Sequence, residues 1–283
     1  MNCSESIHKF VIIKFMIRTI FLLSAVFLIA SCSYSLRPEF PKRISGLSGS
    51  DFYKKAGGMN WISRDSLVVN EVLKGNIPDF LKQFVTVQIS GIVNDKTVEA
   101  CIFVAPDYLS VGSDDDWARV CITPMAAQKI ADSLHCFLPT RKIVDHIFNA
   151  SKVKLEPVPM FAYRDSTPTM WHHHLIIEGQ RKGRKGLISG IKKDVVLSDR
   201  VLKESKQSRV AIYGWHYPDG KPIQALHTAH KNWYVDYSHG IRLIFEKILI
   251  GGKWLHFSEV FKHPVYRVLI CDEGDGVFYH YNY

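Results

Sequence analysis

The chain has 283 residues, 47% hydrophobic and 22% charged, with 36 Lys and Arg against 27 Asp and Glu. These proportions exclude a disordered or collagen-like chain and allow one large domain or two modest ones. The formal charge of +9 invites a nucleic-acid reading, but part of that charge lies in a segment the sequence marks for removal.

Residues 19–30, TIFLLSAVFLIA, follow Lys14 and Arg18. Twelve apolar residues are too few for a membrane-spanning helix, which needs about 20. A basic start, a short apolar run and small residues before a cleavage point describe a secretory signal peptide. The run ends in Ile29-Ala30-Ser31-Cys32. This resembles the bacterial lipobox, which implies that residues 1–31 are removed and that Cys32 is lipidated as the first mature residue. Plain cleavage near Ser31 would leave Cys32 an ordinary thiol. Removal leaves 252 residues (283 less 31) and, without Lys9, Lys14, Arg18 and Glu5, lowers +9 to about +7. A diffuse excess of that size on an exported chain does not call for nucleic acid. The expected partners are a bacterial membrane, through the lipid, and an envelope glycan or peptide.

Residues 33–50 are rich in Ser, Pro, Arg and Gly without apolar periodicity. They read as a tether, so anchor and tether are assigned to 32–60 and a single α+β domain to 61–283. Residues 70–84 read as a helix with Pro78 in a first turn. VTVQISGIV and TVEACIFVA flank Asn94-Asp95-Lys96, a hairpin signal. Residues 117–122 read as a strand. Thr123-Pro124 then caps a helix, and Thr140 starts another over RKIVDHIFNA. Pro157 and Pro159 mark a stretch that could divide the chain. A helix is expected over about 169–181, followed by strands DVVL and RVAIYGWH, a turn at Pro218-Asp219-Gly220 and a strand NWYVDYS. IRLIFEKILI and KWLHF, joined by Gly251-Gly252, form a second hairpin, and Ser258 can cap a last short helix. Strand clusters with interspersed helices give an α+β fold with mixed and antiparallel strands, not a βαβ alternation.

Cys101, Cys121, Cys136 and Cys271 show no zinc spacing and read as buried thiols or as bridges with three alternative pairings. Asp114, Asp115 and Asp116 lack the calcium-loop pattern and read as a solvated turn. The basic run Arg181-Lys182-Gly183-Arg184-Lys185 reads as a solvated loop. No GxGxxG, Walker A, HExxH or GxSxG motif occurs.

Seven histidines (His172, His173, His174, His216, His227, His230 and His239) fall within 68 residues, out of twelve in the mature chain. Three adjacent imidazoles on one helix point about 100° apart and cannot converge on an ion. His174 and Glu178 do share a helical face. The richer set is His216, His227, His230, Asp236 and His239. An acid inside an aromatic strand needs a partner, and a neighbouring histidine supplies one. Such a pair fixes an imidazole tautomer and supports general-base chemistry. Three readings stay open. His227 and His230 with Asp236 or His239 can hold zinc. Asp236 with His239 or His216 can work without metal, with Ser238 as nucleophile. The same residues can floor a glycan cleft, with Trp215, Trp233, Tyr234 and Tyr237 as stacking platforms. Ordinary hydrogen-bonded turn and strand polars are the structural alternative to all three. Lys193, beside Asp194, can position an anionic group or be an exposed strand start.

The blocks TPMAAQKIADSLHCFLPTRKIVD, LISGIKKDVVLSDR and RVAIYGWHYPDGKPIQALHTAHKNWYVDYSHGIRLI resemble a family of exported bacterial proteins without an established activity. The resemblance spans most of residues 100–245, implies one coherent domain across the Pro-rich stretch, and transfers no catalytic role. The expectation is therefore a lipoprotein hydrolase acting on an envelope or glycan-type substrate. Asp236, His239 and His216 would be catalytic. Trp215, Trp233, Tyr234 and Lys193 would bind substrate, and His227 and His230 would bind zinc if a metal is used. The alternative is a non-catalytic glycan- or peptide-binding lipoprotein.

Overall fold

The computed structural model describes residues 36–204, 208–274 and 278–283; the signal segment and Cys32 lie outside the described residues. No helix among the described residues is long and apolar enough to cross a membrane.

The chain joins the folded body earlier than its composition suggests. Leu36 bridges to Phe84, and Phe40 packs on the Phe84 ring at 5.9 Å. Helix α1 (Gly49–Ala56) is N-capped by Ser48, and α2 (Trp61–Leu73) by Asn60. The expected tether over residues 33–60 is thus structured from residue 36 onward. Its Ser and Gly residues serve as caps and close approaches. Gly49, for example, sits where a Cβ would fall 2.2 Å from the Trp117 backbone. The helix expected over 70–84 begins nine residues earlier and ends at Leu73, because Gly75 turns the chain at φ +77. Pro78 then caps a short 3-10 turn at Asp79–Lys82.

Strands β1 (Val85–Val93) and β2 (Lys96–Val104) form the expected hairpin. Asn94 and Asp95 both take positive φ, 47° and 58°, as a two-residue turn matching strand twist requires. β3 (Ser110–Gly112) pairs with β4 (Trp117–Arg119), a shorter strand than expected. α3 (Pro124–Ser133) and α4 (Arg141–Ala150) start at their expected caps, Thr123 and Thr140. Each threonine hydroxyl accepts from a backbone N–H in the first turn, satisfying one of the orphan donors there. β5 (Cys136–Phe137) lies between them. After β6 (Val153–Lys154) comes α5 (Thr167–Arg181), capped by Ser166. β7 (Ile188–Ser189), β8 (Lys193–Val196), the short α6 (Arg200–Lys203), β9 (Arg209–His216) and β10 (Pro222–Lys231) follow. The chain closes with β11 (His239–Gly240), β12 (Ile244–Phe245), the β13 (Lys247–Ile250) and β14 (Lys253–His256) hairpin, α7 (Phe257–Lys262) and α8 (Arg267–Ile270). His256, not Ser258, caps α7.

Two sheets organise the α+β domain. One has the order β14-β13-β2-β12-β5, with β1 also on β2; the other runs β10-β9-β8-β11. α4 packs on both β1 and β9 and so links the sheets. Its Ile143, Val144, Ile147 and Phe148 recur at helical spacing and are buried. The four cysteines Cys101, Cys121, Cys136 and Cys271 are buried and no disulfide joins them.

NWYVDYS is not a strand. The ladder runs instead through PIQALHTAHK, and residues 232–238 form a loop. Val235, Asp236, Tyr237, Ser238 and His239 are consecutive and all buried, held by side-chain and turn hydrogen bonds in place of a strand ladder. β11 then pairs parallel to β8, His239 opposite Lys193 and Gly240 opposite Asp194. This contact depends on Gly240, where a Cβ would lie 2.5 Å from Tyr108 Cδ1 and 2.6 Å from Lys192 Cβ. Gly240→Ala is expected to lower the unfolding free energy by about 1–3 kcal/mol, read as an earlier urea midpoint at unchanged slope.

Candidate functional site

A cleft opens where β10, the start of β8, the 232–238 loop and Arg164 meet. The cleft has a volume of about 530 Å³ and is lined by Arg164, Lys193, Gln224, Ala229, His230, Lys231, Trp233, Tyr234 and Asp236. Three cationic side chains and one carboxylate share this lining.

That carboxylate is already occupied. Asp236 Oδ1 accepts from the Ser238 backbone N–H at 2.8 Å and from Ser238 Oγ at 2.5 Å, while Oδ2 accepts from the Arg164 guanidinium at 2.8 Å. Burial pushes the Asp236 carboxyl up, but the His239 ring, the Ser238 hydrogen bonds and Lys193 outweigh it and hold the group below its ordinary value. Ser238, its hydroxyl and backbone N–H both donating to Asp236, props the acid.

His239 does not pair with the acid. Its Nδ1 accepts from the Asp236 backbone N–H at 3.1 Å, which assigns the ring hydrogen to Nε2. The ring is 2% exposed, and burial first, with the neighbouring cations Lys193 and Lys192, brings it down to about 4, Asp236 opposing. Asp236 and His239 are therefore neighbours without forming the expected acid–base dyad. Asp236→Asn sets an amide N–H₂ against Arg164. It is expected to cost about 1–3 kcal/mol in stability, measured by thermal melting, instead of leaving unfolding unchanged as a purely catalytic acid would.

His230 is the imidazole that lines the cleft. It stacks on Tyr234 at 5.6 Å and 12°, with the rings of His227 at 5.2 Å and His239 at 6.0 Å edge-on. Partial burial, then His227 and Lys193, lower its pKa, so it is neutral near pH 7. The Lys193 ammonium stands 5.3 Å from the centroid of the Trp215 ring, and burial lowers its pKa too, partly opposed by Asp236.

Other expected members stand elsewhere. His216 turns to α4, where its Nε2 lies 3.2 Å from Asp145 Oδ1 and its ring stacks on Phe148 at 4.6 Å. It does not line the cleft. Trp215, with φ 58°, is buried beneath Lys193 and is no stacking platform, and Tyr237 is buried as well. Trp233 and Tyr234 keep their cleft positions. His227 is exposed beside His230, but no group of three or more His, Cys, Asp or Glu among the described residues is placed to hold a metal ion. The zinc grouping of His227 and His230 with Asp236 or His239 is thus not assembled.

Lys192, Lys193 and Asp194, weighed as an exposed strand start, are all buried. Lys192 Nζ donates to the Tyr237 carbonyl and lies 3.5 Å from Cys121 Sγ. Asp194 accepts from the Tyr108 hydroxyl at 2.9 Å, and burial pushes its carboxyl up to about 6. In α5, His172 is exposed and His173 fully buried, with neither ring nitrogen bonded among the described residues. His174 and Glu178 meet through Arg119, at 3.4 Å and 2.8 Å. They form part of a network centred on buried Arg119, with the Glu178 side chain 29% exposed.

Arg164, Gln224 and Lys231 were not singled out in the sequence. Gln224 and Lys231 follow once PIQALHTAHK is recognised as a strand. Arg164 follows a Pro-rich stretch that reads as a divider and lies 72 residues from the acid it binds, so no local pattern connects them.

No family model matches the chain, and no curated protein or solved structure is significantly similar to it.

Proposed function

We propose that the chain is an exported, lipid-anchored hydrolase acting on an acidic cell-envelope substrate, with His230 as the general base. Arg164, Lys193 and Lys231 hold the acidic group of the substrate. The observation that carries the reading is an imidazole set with three cationic side chains in one cleft, and partial burial lowers its pKa toward the neutral form. Neutral His230 accepts a proton from water as that water attacks the scissile bond. Negative charge developing on the leaving or carbonyl oxygen is met by Lys193 and Arg164. Asp236 fixes Arg164 and takes no proton, since its oxygens are bound by Ser238 and Arg164.

A second reading, binding without turnover, is favoured by that same occupation of Asp236, which leaves no carboxylate hydrogen-bonded to His230. Incubation of the protein with purified cell-wall sacculi separates the two. New reducing ends or free amino groups are the expected result; sedimentation with the sacculi and no release would establish the binder.

A further inference from the structure

The segment from Met160 to Arg164 carries Phe161 and Tyr163, whose relative exposures are 90% and 83%. Both ends of the segment are fastened. The Met160 N–H donates to the Tyr237 hydroxyl at 2.6 Å, and the Tyr237 N–H donates to the Arg164 carbonyl at 2.9 Å. The Arg164 guanidinium lies 5.7 Å above the Tyr237 ring and reaches Asp236 in the cleft. Tyr163 itself has φ 46°, a conformation that costs a bulky residue free energy and persists only when its surroundings impose it. Two large rings are thus held in water on a clamped loop whose last residue, Arg164, is a wall of the cationic cleft. Trp233, 48% exposed, stands on that cleft as well.

We infer that this loop is a carbohydrate platform, on which Phe161 and Tyr163 receive pyranose rings of an anionic polysaccharide while its carboxylates enter the cleft. The inference rests on the cleft being the substrate site and narrows its substrate to a uronate-type or similarly acidic glycan. Pyranose rings present faces of slightly positive C–H groups, which complement the negative face of an aromatic ring. Arg164 at the end of the loop and Lys193 in the cleft match carboxylates. A membrane surface fits less well, because the cations line a concavity that a flat bilayer does not enter. An acidic peptide would satisfy the cations but has no rigid apolar faces for the two clamped rings.

The test is affinity for polygalacturonate, dextran and poly-glutamate, measured by titration calorimetry on wild type, on the Phe161→Ala/Tyr163→Ala double variant and on Lys193→Met. Both rings are exposed, so the double variant should keep its circular dichroism and melting temperature. Wild type is expected to bind polygalacturonate and to prefer it to dextran. Loss of the two rings should weaken that binding about tenfold or more. Affinity for poly-glutamate should not depend on the rings. An unchanged affinity in the double variant overturns the platform, and if Lys193→Met still abolishes binding the cleft survives without it. Tighter binding of poly-glutamate, with the same dependence on the rings, would make the occupant a peptide. No binding of polygalacturonate by wild type removes the proposal altogether.

Discussion

Arg119→Met is expected to lower the unfolding free energy by about 3–5 kcal/mol, a fall in melting temperature on the order of 10 °C for a domain of this size. Arg119 is 1% exposed and Asp107 is not exposed at all. Nε and Nη2 of the arginine donate to the two Asp107 oxygens at 2.9 Å and 2.6 Å, and Nη2 also reaches Glu178 at 2.8 Å. The guanidinium lies 4.9 Å from the centroid of the Trp117 ring. Burial pushes the Asp107 carboxyl up, and Arg119, with Arg242 behind it, more than offsets this and holds the acid below its usual range. Methionine replaces the volume but leaves Asp107 in the interior with the Tyr108 backbone N–H at 2.7 Å and, as its remaining cation, Arg242. In the variant the aspartate pKa must rise, so the folded state binds a proton that the unfolded state releases above pH 4. The deficit should therefore be largest at neutral pH and shrink toward pH 4. Adding Asp107→Leu should recover part of the loss, because the stranded charge, not the missing cation, is the main cost. A deficit below about 1 kcal/mol at pH 7 would show that Arg242 alone suffices for Asp107.

His230→Gln is expected to reduce turnover by about 10²–10³-fold, in the range that general-base catalysis contributes, with the melting temperature nearly unchanged. The ring is half-buried, and its contacts are stacking contacts on Tyr234 and edge contacts with two other imidazoles, which a glutamine can largely fill. In wild type the base must be neutral, and its pKa is lowered by burial, His227 and Lys193. Activity should accordingly hold from neutral pH down past the ordinary histidine value of about 6.5 and fall only at more acid pH. That acid limb should vanish from the residual activity of the variant. Activity within tenfold of wild type, or an acid limb that persists, would move the base elsewhere. The contrast with Asp236→Asn is informative, since that substitution should act on the melting curve before it acts on chemistry.

Local signals in the sequence were reliable where backbone groups at an element end had to be satisfied. Thr123 and Thr140 mark α3 and α4, and Asn94-Asp95 marks the first hairpin, because few residue types perform those tasks. The loop of residues 232–238 escaped for the opposite reason. Its Trp, Tyr and Val content suits a strand, yet the chain buries five successive residues there by bonding Asp236 to Ser238, Arg164 and His239. β-propensity reports how a residue packs on a pleated surface and not whether such a surface is present. The histidine-rich quarter of the chain supplies His230 to the candidate cleft. Crowding did not tell cleft-lining His230 from packed His216 and His239, because that depends on α4 and on β11, elements distant in sequence or only two residues long.

The early entry of the chain into the domain sets a working radius. Leu36 is already bridged to Phe84, so three residues lie between it and Cys32, and the four steps of fully extended chain span at most about 14 Å. If Cys32 carries the proposed lipid, the body would be moored within one small-domain radius of the bilayer instead of swinging on a long leash. Its reach would then be confined to a thin shell of envelope next to the membrane, and polymer strands lying farther out would have to come to it.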